Sequence, residues 1–275
     1  MTFHNPVVPL RHALTIATSD SGGGAGIQAD LKTFAAHKVF GLTVLSAITA
    51  QNTMEVTALE CLSPETVAAQ LKAIYDDIPV EAIKIGLLGN AANTRATVDF
   101  LAANFKGTPV VLDPVMVSTS GHVFLAAEAV EALKKLIAIS TIITPNIPEA
   151  EALSKMSISS NDERRAAAEA ILKTGVKNVL IKGGHGSAPE ADDYLLGETG
   201  ETWFKAKRVE TRNTHGTGCT LSSAIAANLA LGESLISAVG KAKDYVSEGL
   251  RHSINLGRGP GPLNHFHPYY DFTDK

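Results

Sequence analysis

The chain has few features that would tie it to an oxidising compartment or to a membrane. It contains only two cysteines, Cys61 and Cys219, in 275 residues. Two cysteines form no disulfide framework, which indicates a reducing compartment. The polar, proline-interrupted residues 1–12 contain no apolar signal core, and no apolar run approaches the roughly 18 residues of a membrane span. We therefore expect a cytoplasmic protein with no membrane partner.

Clustered positive charge and metal-ligand histidine spacing are also missing. The net charge is −4 and the pI about 6.1, with scattered basic residues, so nucleic acid is not an expected partner. The nine histidines show no H-x-x-x-H or H-E-x-x-H spacing, so no zinc site is predicted. His265 and His267 lie in a proline-rich tail and are expected to be solvated. What remains is the composition of an ordinary globular protein, 45% hydrophobic and 19% charged.

Short apolar runs alternate with longer stretches of helical period, which predicts βαβ units in a largely parallel sheet covered on both faces. The predicted strands span residues 13–17, 44–50, 83–88, 110–112, 141–144 and 179–181. The predicted helices span residues 26–37, 64–76, 91–103, 125–136, 162–174, 217–231 and 235–255. Residues 193–196 and 202–208 predict a hairpin in the same sheet. With no linker or repeat visible, we predict one α/β domain over residues 1–275, with peripheral tails at 1–11 and 260–275.

The most informative segment is RNTHGTGCT, residues 212–220, a glycine-broken turn that leads into a small apolar helix. Gly216 and Gly218 free the backbone to bring successive N–H groups together, and the helix start adds unpaired donors and a positive dipole end. Such a turn can hold a transferring phosphoryl group. Cys219 lies where a thiol ionises more easily and can accept a proton, although a buried small hydrophobe is the alternative.

Polar residues gather directly after the predicted strands, which is where ligands bind in open α/β sheets. They are Asp20 with the glycine run 22–24, Gln51, Asp113, Asn146 with Glu149, and Lys182. This shared placement predicts one site at that edge of the sheet. The glycine run does not fit G-x-G-x-x-G, and no G-x-x-x-x-G-K-[ST] segment occurs, so neither a dinucleotide fingerprint nor a P-loop is predicted.

Each of these polar residues also has a purely structural interpretation. Asp113 can help to hold Mg²⁺ through water or can cap a turn. Asn146 and Glu149 can face a metal-phosphate site or can form only a capping box. Lys182 can neutralise nucleotide phosphates or can be a snorkelling surface lysine. The first glycine run can be a tight turn or a loop where a substrate approaches the backbone and Asp20 hydrogen-bonds it.

Six ordered blocks together resemble the ribokinase superfamily, and within it the branch that phosphorylates hydroxymethylpyrimidine in thiamine biosynthesis. The blocks are GGAGIQADLK (23–32), AITAQNT (47–53), LDPVM (112–116), TPNIPEA (144–150), KGGH (182–185) and THGTGCT (214–220), and the tail GPGPLNHF (259–266) is also similar. The resemblance covers nearly the whole chain. It implies a three-layer ribokinase-like fold and an ATP- and Mg²⁺-dependent kinase, expected to be a homo-oligomer, most simply a dimer. The implied substrates are 4-amino-5-hydroxymethyl-2-methylpyrimidine and then its monophosphate.

The resemblance also implies roles for individual residues. Cys219 would be the base that accepts the hydroxymethyl proton. The backbone of residues 216–219, with Gly216 and Gly218, would form the anion hole for the γ-phosphoryl group. The predicted substrate-binding residues are Gln51, Asp20 and Gly23; the nucleotide- and phosphate-binding residues are Lys182, Asn146 and Thr217; and the metal-organising residues are Asp113 and Glu149.

Four positions near the substrate depart from the usual family pattern. They are Thr18, Ser21, Gly22 and Leu87, where glycine, proline, serine and methionine are common. A methylene or hydroxyl at a pocket wall changes selectivity by ~1–3 kcal/mol, so a pyridoxal or pyridoxine kinase of the same branch is an alternative function. A catalytically inactive nucleotide or vitamin sensor is a second. Gln51 favours the pyrimidine, because its amide can accept from a ring amino group and donate to a ring nitrogen. Residues 116–122 are predicted to form a mobile flap.

Overall fold

The computed structural model describes residues 10–115, 127–184, 189–198 and 200–270, without the side chains of residues 127–130. Its strands are β1 (Arg11–Asp20), β2 (Val39–Gln51), β3 (Val56–Cys61), β4 (Ala82–Ile85), β5 (Val110–Leu112), β6 (Ile142–Ile143), β7 (Asn178–Ile181), β8 (Asp193–Gly197) and β9 (Gly200–Phe204). They form one sheet in the order β3-β2-β1-β4-β5-β6-β7-β8-β9. The pairs from β2 through β7 are parallel, whereas β3, β8 and β9 pair antiparallel at the two edges. The predicted mostly parallel sheet and its hairpin are confirmed.

Helices cover both faces of this sheet. They are α1 (Gly26–Ala36), α2 (Pro64–Tyr75), α3 (Ala91–Asn104), α4 (Ala127–Ile139), α5 (Ile147–Ser154), α6 (Asn161–Leu172), α7 (Thr217–Ala230) and α8 (Leu235–Arg251). One hydrophobic cluster joins the sheet to α2, α3, α4 and α6, and a second joins it to α1, α7 and α8. The three-layer arrangement is therefore confirmed. Within the described ranges, no helix is both long and apolar enough to span a membrane.

Strand β4 shows how the sheet presents a charge to one of its helical layers. Ile83 and Ile85 pack into the first cluster and Ala82 into the second, as expected when successive side chains point to opposite faces. Lys84 shares the parity of Ala82 and so faces α1 and α7. Its side chain is fully buried, and Nζ lies 2.8 Å from Oδ2 of Asp30 on α1.

Three elements were not predicted from the sequence: β3, α5 and a short 3₁₀ helix at His267–Tyr269. Strand β3 pairs with β2 but its side chains are largely exposed, so it lacks the apolar alternation that reveals a half-buried strand. Helix α5 is only eight residues long and follows the N-cap Asn146. A capping box at Asn146 and Glu149 was one of the two interpretations that the sequence allowed. The other predicted elements agree with the observed bounds to within a few residues.

The expectation that His265 is solvated is wrong. The residue is 3% exposed, and its Nε2 lies 3.0 Å from Oγ1 of Thr220 on α7. The tail is drawn inward because the N–H of Gly261 donates to Oδ1 of Asn213 at 3.0 Å and residues 215 and 262 form a parallel bridge. Burial, with the neighbouring positive groups, lowers the pKa of His265 to about 4.

Candidate active site

Two glycine-rich turns meet where β1 ends and α7 begins. A Cβ on Gly216 would lie 1.7 Å from the carbonyl oxygen of Gly24, and a Cβ on Gly24 would lie 2.5 Å from Cδ2 of His215. Gly216 also has a φ of 76°, in the left-handed region. It is the N-cap of α7 and supplies no side-chain hydrogen bond there. The junction therefore requires both glycines, and it leaves the N-terminus of α7 open to an anion.

Asp20 holds the two turns together. Its Oδ1 accepts from the N–H of Gly22 at 2.8 Å, and its Oδ2 accepts from the N–H of Gly24 at 3.1 Å and of Ala25 at 2.8 Å. His215 Nε2 lies 3.0 Å from the same Oδ2. Burial disfavours the carboxylate, but the His215 contact and the backbone donors outweigh it, so the pKa of Asp20 lies below its usual range. The carboxylate thus organises the loop, and a direct contact with substrate stays a prediction.

Gln51 ends β2 beside this junction, half-buried. Its side-chain nitrogen Nε2 lies 3.3 Å from His215 Nε2, and its side-chain oxygen Oε1 lies 3.3 Å from Thr49 Oγ1. Its backbone exchanges two hydrogen bonds with Ser21, whose Oγ donates to the carbonyl at 2.7 Å and accepts from the N–H at 2.8 Å. Ser21, one of the departures from the family pattern, therefore ties the first turn to β2. The predicted substrate residue Gln51 lies where both turns meet.

A cation that the sequence analysis did not predict, Lys32, lies beside Gly23. The backbone of Gly23 has a φ of 76°, and its carbonyl accepts from Nζ of Lys32 on α1 at 2.7 Å. Burial lowers the pKa of Lys32, while the nearby Asp20 opposes that shift. The sequence signal available was the position of Lys32 at the end of the first family-like block (23–32), nine residues after Gly23.

A buried ion pair between Asp113 and Lys182 lies against the N-terminus of α7. Nζ and Oδ1 are 2.9 Å apart, and the two residues are 3% and 9% exposed. A Cβ on Gly218 would lie 3.2 Å from Asp113 Oδ2 and 3.3 Å from Lys182 Nζ. Burial disfavours the charged lysine, but the attraction of Asp113 and Glu149 outweighs it and raises the pKa of Lys182. Lys182 is therefore a buried cation at the turn and not a snorkelling surface lysine.

Asn146 and Glu149 form the capping box of α5. The Glu149 N–H donates to Asn146 Oδ1 at 2.9 Å, and the Asn146 N–H donates to Glu149 Oε2 at 2.8 Å. The same segment lies beside Lys182, whose N–H donates to the carbonyl of Pro145 at 2.9 Å. The capping interpretation is therefore confirmed, and Glu149 also acts electrostatically on Lys182. Contacts of this pair with metal or phosphate stay predictions.

The thiol of Cys219 does not ionise easily in this structure, contrary to the expectation from its helix position. Burial raises the pKa of Cys219 to about 11, outweighing the opposing effects of the Lys84 charge and the Gly26 N–H, while Asp30 and Asp113 add to the rise. A helix N-terminus stabilises a thiolate, but here the desolvation of the sulfur and the two carboxylates dominate. The prediction of an easily ionised thiol is wrong for the protein without substrates.

The Lys84–Asp30 pair extends as a polar network beneath Cys219. Asp30 accepts from Lys84 Nζ at 2.8 Å, from Thr15 Oγ1 at 2.6 Å and from Ser223 Oγ at 2.6 Å. Ser223 follows Cys219 by one helical turn and lies on the same side of α7. Attraction to Asp30, Cys219 and Asp113 outweighs burial and raises the pKa of Lys84. The missed signal was a lysine in the middle of an otherwise apolar strand segment, AIKI.

Two of the family departures contact each other at this edge of the sheet. Thr18 Oγ1 donates to the carbonyl of Leu87 at 2.9 Å, and Leu87 lines a cavity together with Asp113. The hydroxyl of Thr18 thus fixes the loop that shapes the cavity wall. The predicted flap, residues 116–122, and His185 lie outside the described residues.

Comparisons with known proteins agree on one family. A family model described as "Phosphomethylpyrimidine kinase" matches residues 20–264. The hydroxymethylpyrimidine/phosphomethylpyrimidine kinase of Haemophilus influenzae is 46% identical over 94% of this chain and 97% of its own length. The thiamine biosynthesis bifunctional protein ThiED of Geobacter sulfurreducens is 43% identical over 97% of this chain and 54% of its own length. The ADP complex of Bacillus subtilis pyridoxal kinase superposes with a TM-score of 0.88 at 35% identity, covering 95% of this chain and 100% of that one.

Proposed function

The chain belongs to the phosphomethylpyrimidine kinase family, and we infer that it phosphorylates 4-amino-5-hydroxymethyl-2-methylpyrimidine and then its monophosphate in thiamine biosynthesis, with ATP as donor. The observation that carries this inference is the junction at the α7 N-terminus. There an anion-binding turn, a buried cation at Lys182 and the Gln51 amide lie at one edge of the sheet. A phosphoryl donor and a polar ring are the ligands that such a combination fits.

In the proposed reaction, the hydroxymethyl oxygen forms a bond to the γ-phosphorus while the bond from that phosphorus to the ADP oxygen breaks. ADP leaves with the electron pair, and the hydroxyl proton passes to the thiolate form of Cys219, which acts as the general base and becomes the neutral thiol. The backbone amides of residues 216–219 hold the transferring group. Phosphoryl transfer depends mainly on such positioning and charge stabilisation, and preorganised donors of this kind contribute ~3 kcal/mol each in other enzymes.

The nucleotide and Mg²⁺ sites form a second part of the proposal. We assign Lys182, Asn146 and Thr217 to the nucleotide phosphates, and Asp113 and Glu149 to the metal. Within the described residues, no three His, Cys, Asp or Glu side chains are grouped to hold a metal ion. The carboxylate oxygens of Asp113 and Glu149 fit Mg²⁺, which proteins commonly hold through one or two carboxylates, with phosphates and water completing its shell. When bound, Mg²⁺ supplies charge neutralisation on the phosphates; Asp113 and Lys182 supply a preset pair of charges beside them.

The direct test is a mass analysis of products from the pyrimidine alcohol, ATP and Mg²⁺. We expect one and then two added phosphates, with one ADP released for each. Absence of ADP release with every hydroxymethyl substrate, despite ATP binding, would instead favour an inactive sensor. In that test the monophosphate supplied alone should give the doubly phosphorylated product.

Pyridoxal kinase is the second candidate, favoured by the close superposition on the Bacillus subtilis enzyme. The Gln51 amide argues for the pyrimidine, because an aminopyrimidine presents a donor and an acceptor side by side. Measurements of kcat/KM on both substrates decide between them. A preference of tenfold or more for pyridoxal would overturn the pyrimidine assignment.

We also propose that the enzyme works as a homodimer in the cytoplasm. Sequence composition supports the compartment, and the family resemblance supports the association. Light scattering coupled to size-exclusion chromatography should give twice the chain mass of 28.9 kDa. A monomer mass at working concentrations would contradict the dimer.

A further inference from the structure

The orientation of the Gln51 side-chain amide is set by two neighbours. As placed, the amide nitrogen Gln51 Nε2 lies 3.3 Å from His215 Nε2, and the amide oxygen Gln51 Oε1 lies 3.3 Å from Thr49 Oγ1. A primary amide has an acceptor at one end and a donor at the other. The hydrogen positions on His215 and Thr49 therefore decide which end is which.

At the first end, His215 Nε2 must carry a proton. It lies 3.0 Å from Asp20 Oδ2, a carboxylate oxygen that also accepts from the backbone N–H groups of Gly24 and Ala25. A bare ring nitrogen would direct its lone pair at a carboxylate oxygen, whereas an N–H donates to it. Gln51 Nε2, the atom placed there, would face that N–H donor to donor. Turning the amide by 180° about its last side-chain bond brings the carbonyl to His215, where it can accept from the same N–H in a shared hydrogen bond.

At the second end, the hydroxyl proton of Thr49 is already used. Thr49 Oγ1 donates to the carbonyl of Ser19 at 2.8 Å, and a hydroxyl has only one proton. Its oxygen can only accept from a second neighbour. The group of Gln51 that faces Thr49 is therefore the amide NH₂, in agreement with the assignment at the His215 end.

We propose that His215, held by Asp20, and Thr49 are positioning residues that fix the Gln51 amide in one orientation and thereby select 4-aminopyrimidines over their 4-oxo analogues. In this orientation, one lone pair and one N–H of the amide are taken by the two neighbours. Its free edge offers one acceptor and one donor in a fixed order, the bidentate pattern with which glutamine reads adenine. An amino group beside a bare ring nitrogen matches that order, whereas an oxo group beside a ring N–H reverses it.

The inference rests on the proposed function, since it assumes that Gln51 contacts the ring. The experiment compares kcat/KM for the 4-amino alcohol with that for its 4-oxo analogue. The variants are His215→Phe, which keeps a ring but removes the donor, and Thr49→Val, which keeps the shape but removes the acceptor. Thr57→Val is the matched control, because the exposed Thr57 hydroxyl donates to the backbone carbonyl of Ala50 and not to the Gln51 side chain. A ratio of two substrates in one preparation cancels any loss of folded protein.

The parent enzyme should prefer the amino substrate strongly, and each test variant should lose about tenfold of that preference, because a freed amide can rotate to suit the oxo ring. His215→Gln, whose amide N–H groups can replace the imidazole donor, should keep most of it. If the ratio of kcat/KM for the amino and oxo substrates is unchanged in His215→Phe or Thr49→Val, these residues do not set the orientation of Gln51. That result would leave the kinase function intact. If His215→Phe is inactive, Thr49→Val decides alone. Absence of any phosphorylation by the parent enzyme would instead reject the proposed function.

Discussion

Two buried lysine–aspartate pairs act on the N-terminal region of α7, Lys84–Asp30 and Lys182–Asp113, and they differ in how far they are closed. In the Lys84–Asp30 pair both side chains are 0% exposed, and hydroxyls from β1 and α7 complete the carboxylate. In the Lys182–Asp113 pair the side chains are 11% and 3% exposed, and the pair lies against Gly218 at the open end of α7. A closed pair with all its partners inside the protein stabilises the fold and sets a local field. A pair at the mouth of a site can exchange its partners for a ligand.

Cys219 is electrostatically coupled to both pairs, because the Lys84 charge opposes the rise in the pKa of Cys219 and Cys219 in turn contributes to raising the pKa of Lys182. Removing this thiol is the largest change to the shared region. In Cys219→Ala we expect kcat to fall by ~10²–10⁴-fold, the usual contribution of a general base. Nucleotide binding, measured by calorimetry, should persist, since the amides of residues 216–219 and Lys182 remain. Wild-type turnover in both Cys219→Ala and Cys219→Ser would reject the base assignment.

Replacing each lysine by methionine should have different effects on stability and on activity. Lys84→Met leaves Asp30 buried without its counter-charge, so the free energy of unfolding should fall by about 3–5 kcal/mol. Lys182→Met should lower that free energy less, because its pair reaches solvent, but should lower kcat/KM more. Urea unfolding and steady-state kinetics on both variants make the comparison.

The double variant Lys84→Met with Asp30→Leu is the control for the closed pair. It removes both charges together and should recover much of the lost stability. Equal losses of unfolding free energy in Lys84→Met and Lys182→Met would show that the difference in solvent exposure between the two pairs does not affect their contribution to stability.

The last prediction is a pH dependence that reports the raised pKa of the Cys219 thiol and leaves stability and turnover unchanged. Because burial raises the pKa of Cys219 to about 11, the thiolate is the minor form at neutral pH. Its fraction increases as the pH approaches that value. The rate of Cys219 alkylation in the substrate-free protein should therefore rise about tenfold per pH unit from 7 to 10. A Cys61→Ser background isolates the signal, and a plateau below pH 9 would contradict the raised pKa.

The strand-end residues were predictable because parallel strands deliver their carboxyl ends to one edge. Asp113, Lys182 and Gln51 follow three different strands, yet the structure brings them to the same edge as the α7 turn. The capping box of Asn146 and Glu149 was also readable from its spacing. These features follow from local residue patterns and from the rule that parallel strands end at one edge of the sheet, and both can be applied to a single sequence.

Other features depended on burial, which spacing does not reveal. Lys84 looked like a polar interruption of an apolar strand, and only its parity in β4 against α1 and α7 turned it into a closed ion pair. His265 looked like part of a solvated tail until the chain returned to Thr220. Strand β3 carried no buried face to detect.

The sequence by itself determined the layered α/β fold, the glycine turn at residues 216–219 and the family of the chain, because periodicity, backbone freedom and motif order are local properties. The tertiary structure decided the ionisation of Cys219 and the orientation of the Gln51 amide. Those depend on desolvation and on hydrogen-bond partners such as Lys84, Asp20 and His215, which come from distant parts of the chain and act only once they are packed together.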